Sequence, residues 1–81
     1  MINIKVVGPG CMNCEKLAAM CKEVVKENNI DAEIEKITDI RKFADLGIMM
    51  TPGLLLNNKV VISGKLPMKS ALAQWIAEAN K

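Results

Sequence analysis

The chain has 81 residues, of which 51% are hydrophobic and 25% are charged, and its formal net charge is +2. That length allows one domain, placed over residues 1–81, and the composition is typical of a globular protein rather than a disordered one. Because the 11 basic residues are scattered singly and the only aromatic residues are Phe43 and Trp75, we do not expect nucleic acid as a partner.

The first half of the chain predicts a strand, a helix and a second strand. An apolar, β-branched run at residues 2–7 ends at Gly8 and is typical of a buried strand. A Gly-Pro-Gly turn follows, and a helix is predicted over about residues 12–28 from apolar residues at helical spacing, namely Leu17, Ala18, Cys21, Val24 and Val25. Residues 31–37 then alternate, with Ala32 and Ile34 on one side, which predicts a strand with one solvated face.

After the second strand, the sequence predicts a short helix and then a hairpin. Thr38 or Asp39 can cap the short helix, and Gly47 ends it. Two apolar runs, at residues 54–56 and 60–62, then flank an Asn-Asn pair. Asparagine tolerates the left-handed backbone that a tight turn needs, so these runs are predicted to be antiparallel strands.

The last predicted element is a helix. Pro67 suits its first turn, and its predicted apolar stripe is Met68, Leu72, Trp75, Ile76 and Ala79. The element order is therefore β-α-β-α-β-β-α, in which the first βαβ unit gives two parallel strands with a right-handed crossover and the hairpin adds an antiparallel pair. Lys59 and Lys65 flank the predicted edge strand and discourage pairing between copies, so we expect a monomer.

The sequence predicts a cytoplasmic protein. Its first residues, Met-Ile-Asn-Ile-Lys, lack the basic and apolar regions of a signal peptide. Its most apolar region, residues 46–56, is interrupted by Gly47, Pro52 and Gly53, so no membrane-spanning segment is expected. Because cytoplasmic thiols are kept reduced and standing disulfides are rare there, a Cys-x-x-Cys pair is expected to be catalytic or metal-binding.

Two of the three cysteines, Cys11 and Cys14, lie where the turn meets the predicted first helix. At the N-cap position, the Cys11 sulfur can accept hydrogen bonds from the backbone N–H groups of Asn13 and Cys14. It also lies at the positive end of the helix dipole, and both effects favour the thiolate. Cys14 lies on the apolar stripe with Leu17. The pair is therefore unequal, with one exposed, activated sulfur and one shielded sulfur, as thiol-disulfide exchange requires.

The third cysteine, Cys21, shares the helix face of Cys14 but lies about 10 Å further along the helix axis. That separation is too large for a disulfide or for a shared mononuclear metal, so we expect Cys21 to be a core residue. The sequence contains no histidine, which excludes Cys-His catalysis and mixed Cys/His zinc sites.

A second feature, Met50-Thr51-Pro52, directly precedes the third predicted strand. Proline is tolerated at the first residue of a strand, where its missing N–H costs no ladder hydrogen bond. From these residues alone, an ordinary trans proline and a cis proline in a tight turn both remain open.

These residues resemble the thioredoxin superfamily, in particular its small glutaredoxin-like branch of redox-active disulfide proteins. The motif Gly-Cys-Met-Asn-Cys at residues 10–14 opens the first helix, and residues 47–56 look like the loop that leads to the family's cis-proline strand. Gly64 falls where the family has a glycine beside its active site. The resemblance covers essentially the whole chain. It implies an α/β, minimal thioredoxin-like fold, with a four-stranded mixed sheet and helices on both faces.

The resemblance also implies a thiol-disulfide oxidoreductase, in which Cys11 attacks, Cys14 resolves, and the redox-active disulfide between them replaces any cofactor or metal. It implies that Pro52 is cis, beside the cysteine pair, and that a substrate chain pairs with Thr51 as an extra strand. The substrate-binding residues that it implies are Met12, Asn13, Met50, Thr51, Pro52 and Gly64. The partners that it implies are oxidised protein substrates and a disulfide reductase that donates electrons.

The sequence departs from the family pattern in three places. Gly10 stands where thioredoxins have a tryptophan, and Met-Asn fills the motif. Lys5 occupies the position of the family's buried acid, so proton transfer at Cys14 needs another route, such as water. Lys65 follows Gly64 where glutaredoxins have an acidic residue that holds glutathione, so the resemblance does not extend to glutathione as a required partner.

The main alternative function is a heavy-metal-binding domain of the copper type. Such domains also place Cys-x-x-Cys between a first strand and a first helix, and two thiolates suit Cu(I). That family, however, runs β-α-β-β-α-β and gives no reason for Thr51-Pro52-Gly53. A zinc or cluster site shared by two subunits is chemically possible. A redox-inert adaptor is the last alternative, in which the loops that carry Pro9, Met12, Met49 and Met50 form an apolar patch that binds proteins.

Overall fold

A computed structural model describes residues 1–80, which form one four-stranded sheet with helices on both faces. The strands are β1 (Ile2–Val7), β2 (Ala32–Ile37), β3 (Gly53–Leu56) and β4 (Lys59–Ser63). The helices are α1 (Met12–Glu27), the single turn α2 (Ile40–Phe43), which a 3-10 turn at Ala44–Leu46 extends, and α3 (Lys69–Ala79). The predicted element order, β-α-β-α-β-β-α, is confirmed.

The sheet has the strand order β2-β1-β3-β4. Strand β1 pairs parallel to β2 and antiparallel to β3, and β3 pairs antiparallel to β4. The register places Val7, the last residue of β1, opposite Gly53, the first residue of β3. The loop that leaves β1 and the loop that enters β3 therefore lie at the same end of the sheet, and this brings the cysteine and proline motifs together.

Two apolar cores hold these elements in place. The larger core lies between the sheet and the helices α1 and α3, and its buried residues are Ile2, Ile4, Val6, Leu17, Ala18, Cys21, Val24, Leu54, Leu56, Leu72 and Ile76. The smaller core lies on the opposite face, because successive strand residues point to opposite sides, and it contains Val7, Ile48 and Leu55. Phe43 and Leu46, from α2 and the 3-10 turn, pack against it.

The turns follow their local sequence signals. Asn57 and Asn58 adopt the left-handed backbone that joins β3 to β4, with φ angles of 52° and 69°. The Asp39 side chain caps α2 by accepting a hydrogen bond from the Arg41 backbone N–H at 3.0 Å. The Arg41 guanidinium also donates to the Asp39 carboxylate, and these hydrogen bonds lower the pKa of Asp39.

The last helix begins later than the sequence predicts, so the placement of Pro67 in its first turn is wrong. Pro67 is buried and precedes the helix, while Met68 keeps an extended backbone, with ψ of 148°, as the N-cap. Met68 is consequently 75% exposed and does not belong to the buried stripe, whereas Leu72 and Ile76 are fully buried as predicted. Within residues 1–80, no helix is both long and apolar enough to cross a membrane.

Candidate active site

Cys11 and Cys14 form a disulfide at the N-terminus of α1. Cys11 is the N-cap residue, and its Sγ accepts a hydrogen bond from the backbone N–H of Cys14 at 3.2 Å. Of the two amides predicted to donate to this sulfur, Asn13 and Cys14, only the second does so in the part of the chain that the structure describes. Because α1 has 16 residues, its positive end favours negative charge on the Cys11 sulfur once the disulfide is reduced.

The two cysteines differ in exposure as predicted, although Cys11 is less exposed than expected. Cys11 is half-buried at the rim of the loop, whereas Cys14 is only 5% exposed and lies on the buried face of α1. Gly8 packs directly against Cys14, since a Cβ built on Gly8 would overlap the Cys14 Sγ. A disulfide that approaches from solvent therefore meets Cys11 before Cys14.

The proline loop lies beside this pair. The Thr51-Pro52 peptide bond is cis, and Pro52 is buried. The Pro52 carbonyl accepts a hydrogen bond from the Gly64 N–H at 2.9 Å, which ties the start of β3 to the end of β4. A Cβ on Gly8 would also lie 3.8 Å from the Thr51 Cβ, so Thr51 and Cys14 both adjoin Gly8.

Exposed side chains surround the cysteine pair. Met12 and Asn13, in the first turn of α1, are exposed, and so is Met50, which precedes the cis peptide bond. The Met50 side chain lies over Gly64, where a Cβ would stand 3.0 Å from the Met50 Cβ and where φ is +82°. The structure thus brings the residues that the sequence predicts to one end of the sheet: Cys11, Met12, Asn13, Cys14, Met50, Thr51, Pro52 and Gly64.

Lys5 does not contact this site, although it occupies the position of the family's buried acid. Its Nζ donates a hydrogen bond to the Asn58 Oδ1 at 2.9 Å, in the hairpin turn at the opposite end of the sheet. No charged side chain is fully buried anywhere in residues 1–80. The described structure therefore holds no buried acid at Cys14.

An ion pair beside the cysteines is not predicted from the sequence. The Lys36 Nζ, on β2, lies 2.8 Å from the Glu15 Oε2, in the first turn of α1, and both side chains are well exposed. Strand periodicity could have predicted it. Ile34 packs in the core under α1, and Lys36, two residues further on, points to the same face of the sheet. The contact of Gly8 with Cys14 is not predicted either, because a Gly-Pro-Gly segment by itself indicates only a turn.

Cys21 is a free thiol in the larger core, as predicted, and has no exposed surface. Burial raises the pKa of the Cys21 thiol to about 12, because the charged thiolate would lose its hydration. Cys21 is therefore neutral near pH 7 and shielded from reagents.

We expect the free energy of unfolding to fall as the pH rises above about 9. The unfolded thiol loses its proton near its ordinary pKa of 9.0, whereas the folded thiol keeps it up to about pH 12. In this window the unfolded state binds fewer protons, so Cys21 lowers the stability by up to about 1.4 kcal/mol per pH unit. Chemical denaturation of the oxidised wild type and Cys21→Ala at about pH 8 and about pH 10 measures this effect. If the free energy of unfolding changes by the same amount between the two pH values in both proteins, the expectation is contradicted.

Comparison with known proteins assigns the family. A family model described as the thioredoxin domain matches residues 2–77. The chain belongs to the thioredoxin family. It is 36% identical over 77 residues to a thioredoxin of Methanothermobacter thermautotrophicus, an alignment that covers 95% of this chain and 100% of that protein. It is 37% identical over 67 residues to a thioredoxin of Methanocaldococcus jannaschii, an alignment that covers 83% of this chain and 77% of that protein.

A solved structure supports the fold. The oxidised thioredoxin from Plasmodium falciparum superimposes with a TM-score of 0.66, covering 99% of this chain and 82% of that one, at 19% identity. The predicted thioredoxin-like fold is therefore confirmed.

The family and the disulfide at its Cys-x-x-Cys motif together assign the activity: the protein is a thiol-disulfide oxidoreductase. Thioredoxins act on protein disulfides and receive electrons from a reductase. The alternative of a heavy-metal-binding domain is not favoured, because the observed order of elements places helix α3, and not a strand, last. In residues 1–80, no three cysteine, aspartate or glutamate side chains are grouped so that they could hold a metal ion.

Proposed function

We propose that Cys11 is the attacking cysteine of this oxidoreductase and that Cys14 is the resolving cysteine. The observation that carries this proposal is the unequal environment of the two sulfurs. Cys11 lies half-buried at the N-cap of α1, whereas Cys14 is 5% exposed. The attacking sulfur must reach a substrate and be stable as a thiolate, and the resolving sulfur needs only to reach Cys11.

The exchange then has two steps. The Cys11 thiolate bonds to one sulfur of a substrate disulfide, and the other substrate sulfur leaves as a thiolate. Cys14, on losing its proton, attacks the Cys11 sulfur, which forms the Cys11–Cys14 disulfide and releases the second substrate thiolate. Two electrons have passed to the substrate, and an external reductase returns two electrons to the pair. Water is the proposed carrier of the Cys14 proton, since the Lys5 amine is bound to Asn58.

We expect limited alkylation to distinguish the three thiols. When the reduced, folded protein is treated with iodoacetamide near pH 7, Cys11 is expected to react first, followed slowly by Cys14, with Cys21 protected. Peptide mass spectrometry locates the adducts, and urea-unfolded protein, in which all three thiols react, is the control. Faster alkylation of Cys14 than of Cys11 would reverse the proposed roles.

The proposed substrate site is the loop that enters β3. The N–H and C=O of Thr51 take no part in backbone hydrogen bonds within residues 1–80, and Thr51 adjoins the cysteine pair at Gly8. We propose that an extended substrate segment pairs with these groups as an added strand, over Pro52 and Gly64. The residues that flank the segment in this proposal are Met12, Asn13 and Met50. Methionine is flexible and polarisable, so it suits apolar surfaces of varied shape.

Met12→Gln is expected to lower kcat/KM for a disulfide-bonded protein substrate roughly threefold to tenfold, because a polar amide replaces an apolar contact. Turnover is measured with dithiothreitol as electron donor. Met68→Gln is the matched control, since Met12 and Met68 are both 75% exposed and Met68 lies outside the proposed site, at the N-cap of α3.

A small substrate, hydroxyethyl disulfide, separates docking from thiol chemistry. Its rate is expected to be the same in wild type and Met12→Gln, because it is too small to contact the methionine. An equal loss with both substrates, or an equal loss in Met68→Gln, would contradict a docking role for Met12.

We further propose a single domain over residues 1–81, a monomeric state and a cytoplasmic location. We also propose that the redox-active disulfide is the only group that the reaction needs. The substrates are proposed to be oxidised proteins, and the electron donor a disulfide reductase.

A further inference from the structure

We propose that Gly8 is a positioning residue that sets the place of the Cys14 sulfur in the oxidised protein. Gly8 is buried, and its N–H donates a hydrogen bond to the Ile37 carbonyl at 2.9 Å, which fixes its backbone to β2. A Cβ on Gly8 would overlap the Cys14 Sγ and would lie 3.0 Å from the Cys14 Cβ. The sulfur therefore fills the space that a side chain at residue 8 would need.

Space, and not backbone conformation, is what makes glycine necessary at this position. Gly10, two residues further on, has φ of +96°, and a Cβ added to it would have no atom within 4 Å, so it serves the conformation of the turn. Gly8 does not have a positive φ, so the conformational reason for glycine that applies to Gly10 does not apply to it. In the Gly-Pro-Gly segment, Gly10 is thus needed for the backbone conformation of the turn, and Gly8 is needed for the space that the Cys14 sulfur occupies.

The contact of Gly8 with the Cys14 Sγ affects the redox equilibrium of the cysteine pair. This inference rests on the proposed roles of Cys11 and Cys14. In the disulfide, the Cys14 Sγ is bonded to Cys11 and cannot leave its place against Gly8. In the dithiol, the same sulfur can turn to another rotamer. A methyl group at residue 8 therefore disfavours the disulfide more than the dithiol, and the protein becomes a stronger oxidant.

The test compares Gly8→Ala with Gly53→Ala. Gly53 is also buried, and the three atoms nearest to its Cβ would all belong to Ile48, the first being Cδ1 at 2.6 Å, so this control crowds the smaller core. Each protein is equilibrated with graded ratios of dithiothreitol and its cyclic disulfide, an exchange of two electrons and two protons. The fraction of protein dithiol is then measured by acid quenching, alkylation and mass.

Gly8→Ala is expected to shift the equilibrium constant roughly tenfold or more toward the dithiol, and Gly53→Ala by less than about twofold. A constant for Gly8→Ala within about twofold of the wild type would overturn the inference. If the wild type itself shows no reversible couple, the proposed function fails instead, so the two failures are distinguishable.

A double-mutant cycle on stability tests the contact of Gly8 with the Cys14 Sγ without a measurement of the redox equilibrium. Cys14→Ala removes the sulfur that the new methyl group would overlap. Gly8→Ala is therefore expected to lower the urea midpoint of the oxidised wild type clearly more than that of the Cys14→Ala protein. Equal losses would overturn the inference. If Gly8→Ala alone fails to fold, recovery of folding in the double variant supports the contact, and its failure to fold as well overturns it.

Discussion

Cys11→Ser is expected to lower the rate of protein disulfide reduction by at least about a thousandfold, because it removes the sulfur that attacks the substrate. A hydroxyl is a far weaker nucleophile than a thiolate near neutral pH and cannot form the mixed disulfide. The fold should persist, since serine is a preferred N-cap residue and its oxygen can accept the hydrogen bond that the Cys11 Sγ now accepts from the Cys14 N–H.

The measurement is turnover of a disulfide-bonded protein with dithiothreitol as donor, beside circular dichroism to verify folding. Cys21→Ala is the matched control, because it also removes one thiol, but from the core, where the cysteine has no exposed surface. It should keep the wild-type rate within about twofold. A Cys11→Ser protein that keeps more than roughly a tenth of the wild-type rate would contradict the role of Cys11.

Cys14→Ser is expected to stop turnover in a different way, by trapping the intermediate. When dithiothreitol is left out, Cys11 still attacks the substrate disulfide, but the site has no second sulfur to release the substrate, so a mixed disulfide accumulates at Cys11 and one equivalent of substrate thiol is released in a rapid phase. With dithiothreitol present, steady-state turnover should fall at least about a hundredfold, because only the external thiol can then release the substrate. Non-reducing mass spectrometry identifies the adduct and its site.

The comparison of the two variants tests which of the two cysteines attacks the substrate. Because Cys14 is only 5% exposed, Cys11→Ser should form no adduct on the time scale on which Cys14→Ser is fully trapped. If Cys11→Ser forms adducts at Cys14 at a comparable rate, burial does not distinguish the two sulfurs, and the assignment of attacking and resolving roles is wrong.

Much of the fold could be predicted because local patterns decide its elements. The apolar stripe of α1 predicted a helix that packs on a sheet, and the Asn-Asn pair predicted a tight turn, since both residues are among the few that adopt positive φ. The start of α3 could not be predicted in this way. Pro67 is compatible with a first helical turn, but it is buried ahead of the helix, and burial depends on the rest of the fold.

The residues of the proposed site can be chosen from the sequence, but their contacts cannot. The Cys11–Cys14 spacing and the Thr51-Pro52 segment are visible in the sequence, and the register of β1 with β3 brings them together. The contact of Gly8 with the Cys14 Sγ depends on the packing of a loop against a helix, which no periodicity reports. The orientation of the Lys5 side chain likewise depends on its hydrogen-bond partner, Asn58, which lies 53 residues away in sequence.

The most direct test of thiol-disulfide exchange at Cys11 and Cys14 is a redox titration of the purified protein against poised dithiol buffers. Free thiols, mass and metal content are measured on the same samples. We expect a reversible two-electron couple that joins Cys11 and Cys14, seen as the loss of two thiols and two hydrogens, with Cys21 reduced throughout. Stoichiometric copper or zinc in the purified protein, with no such couple after the metal is removed, would contradict it.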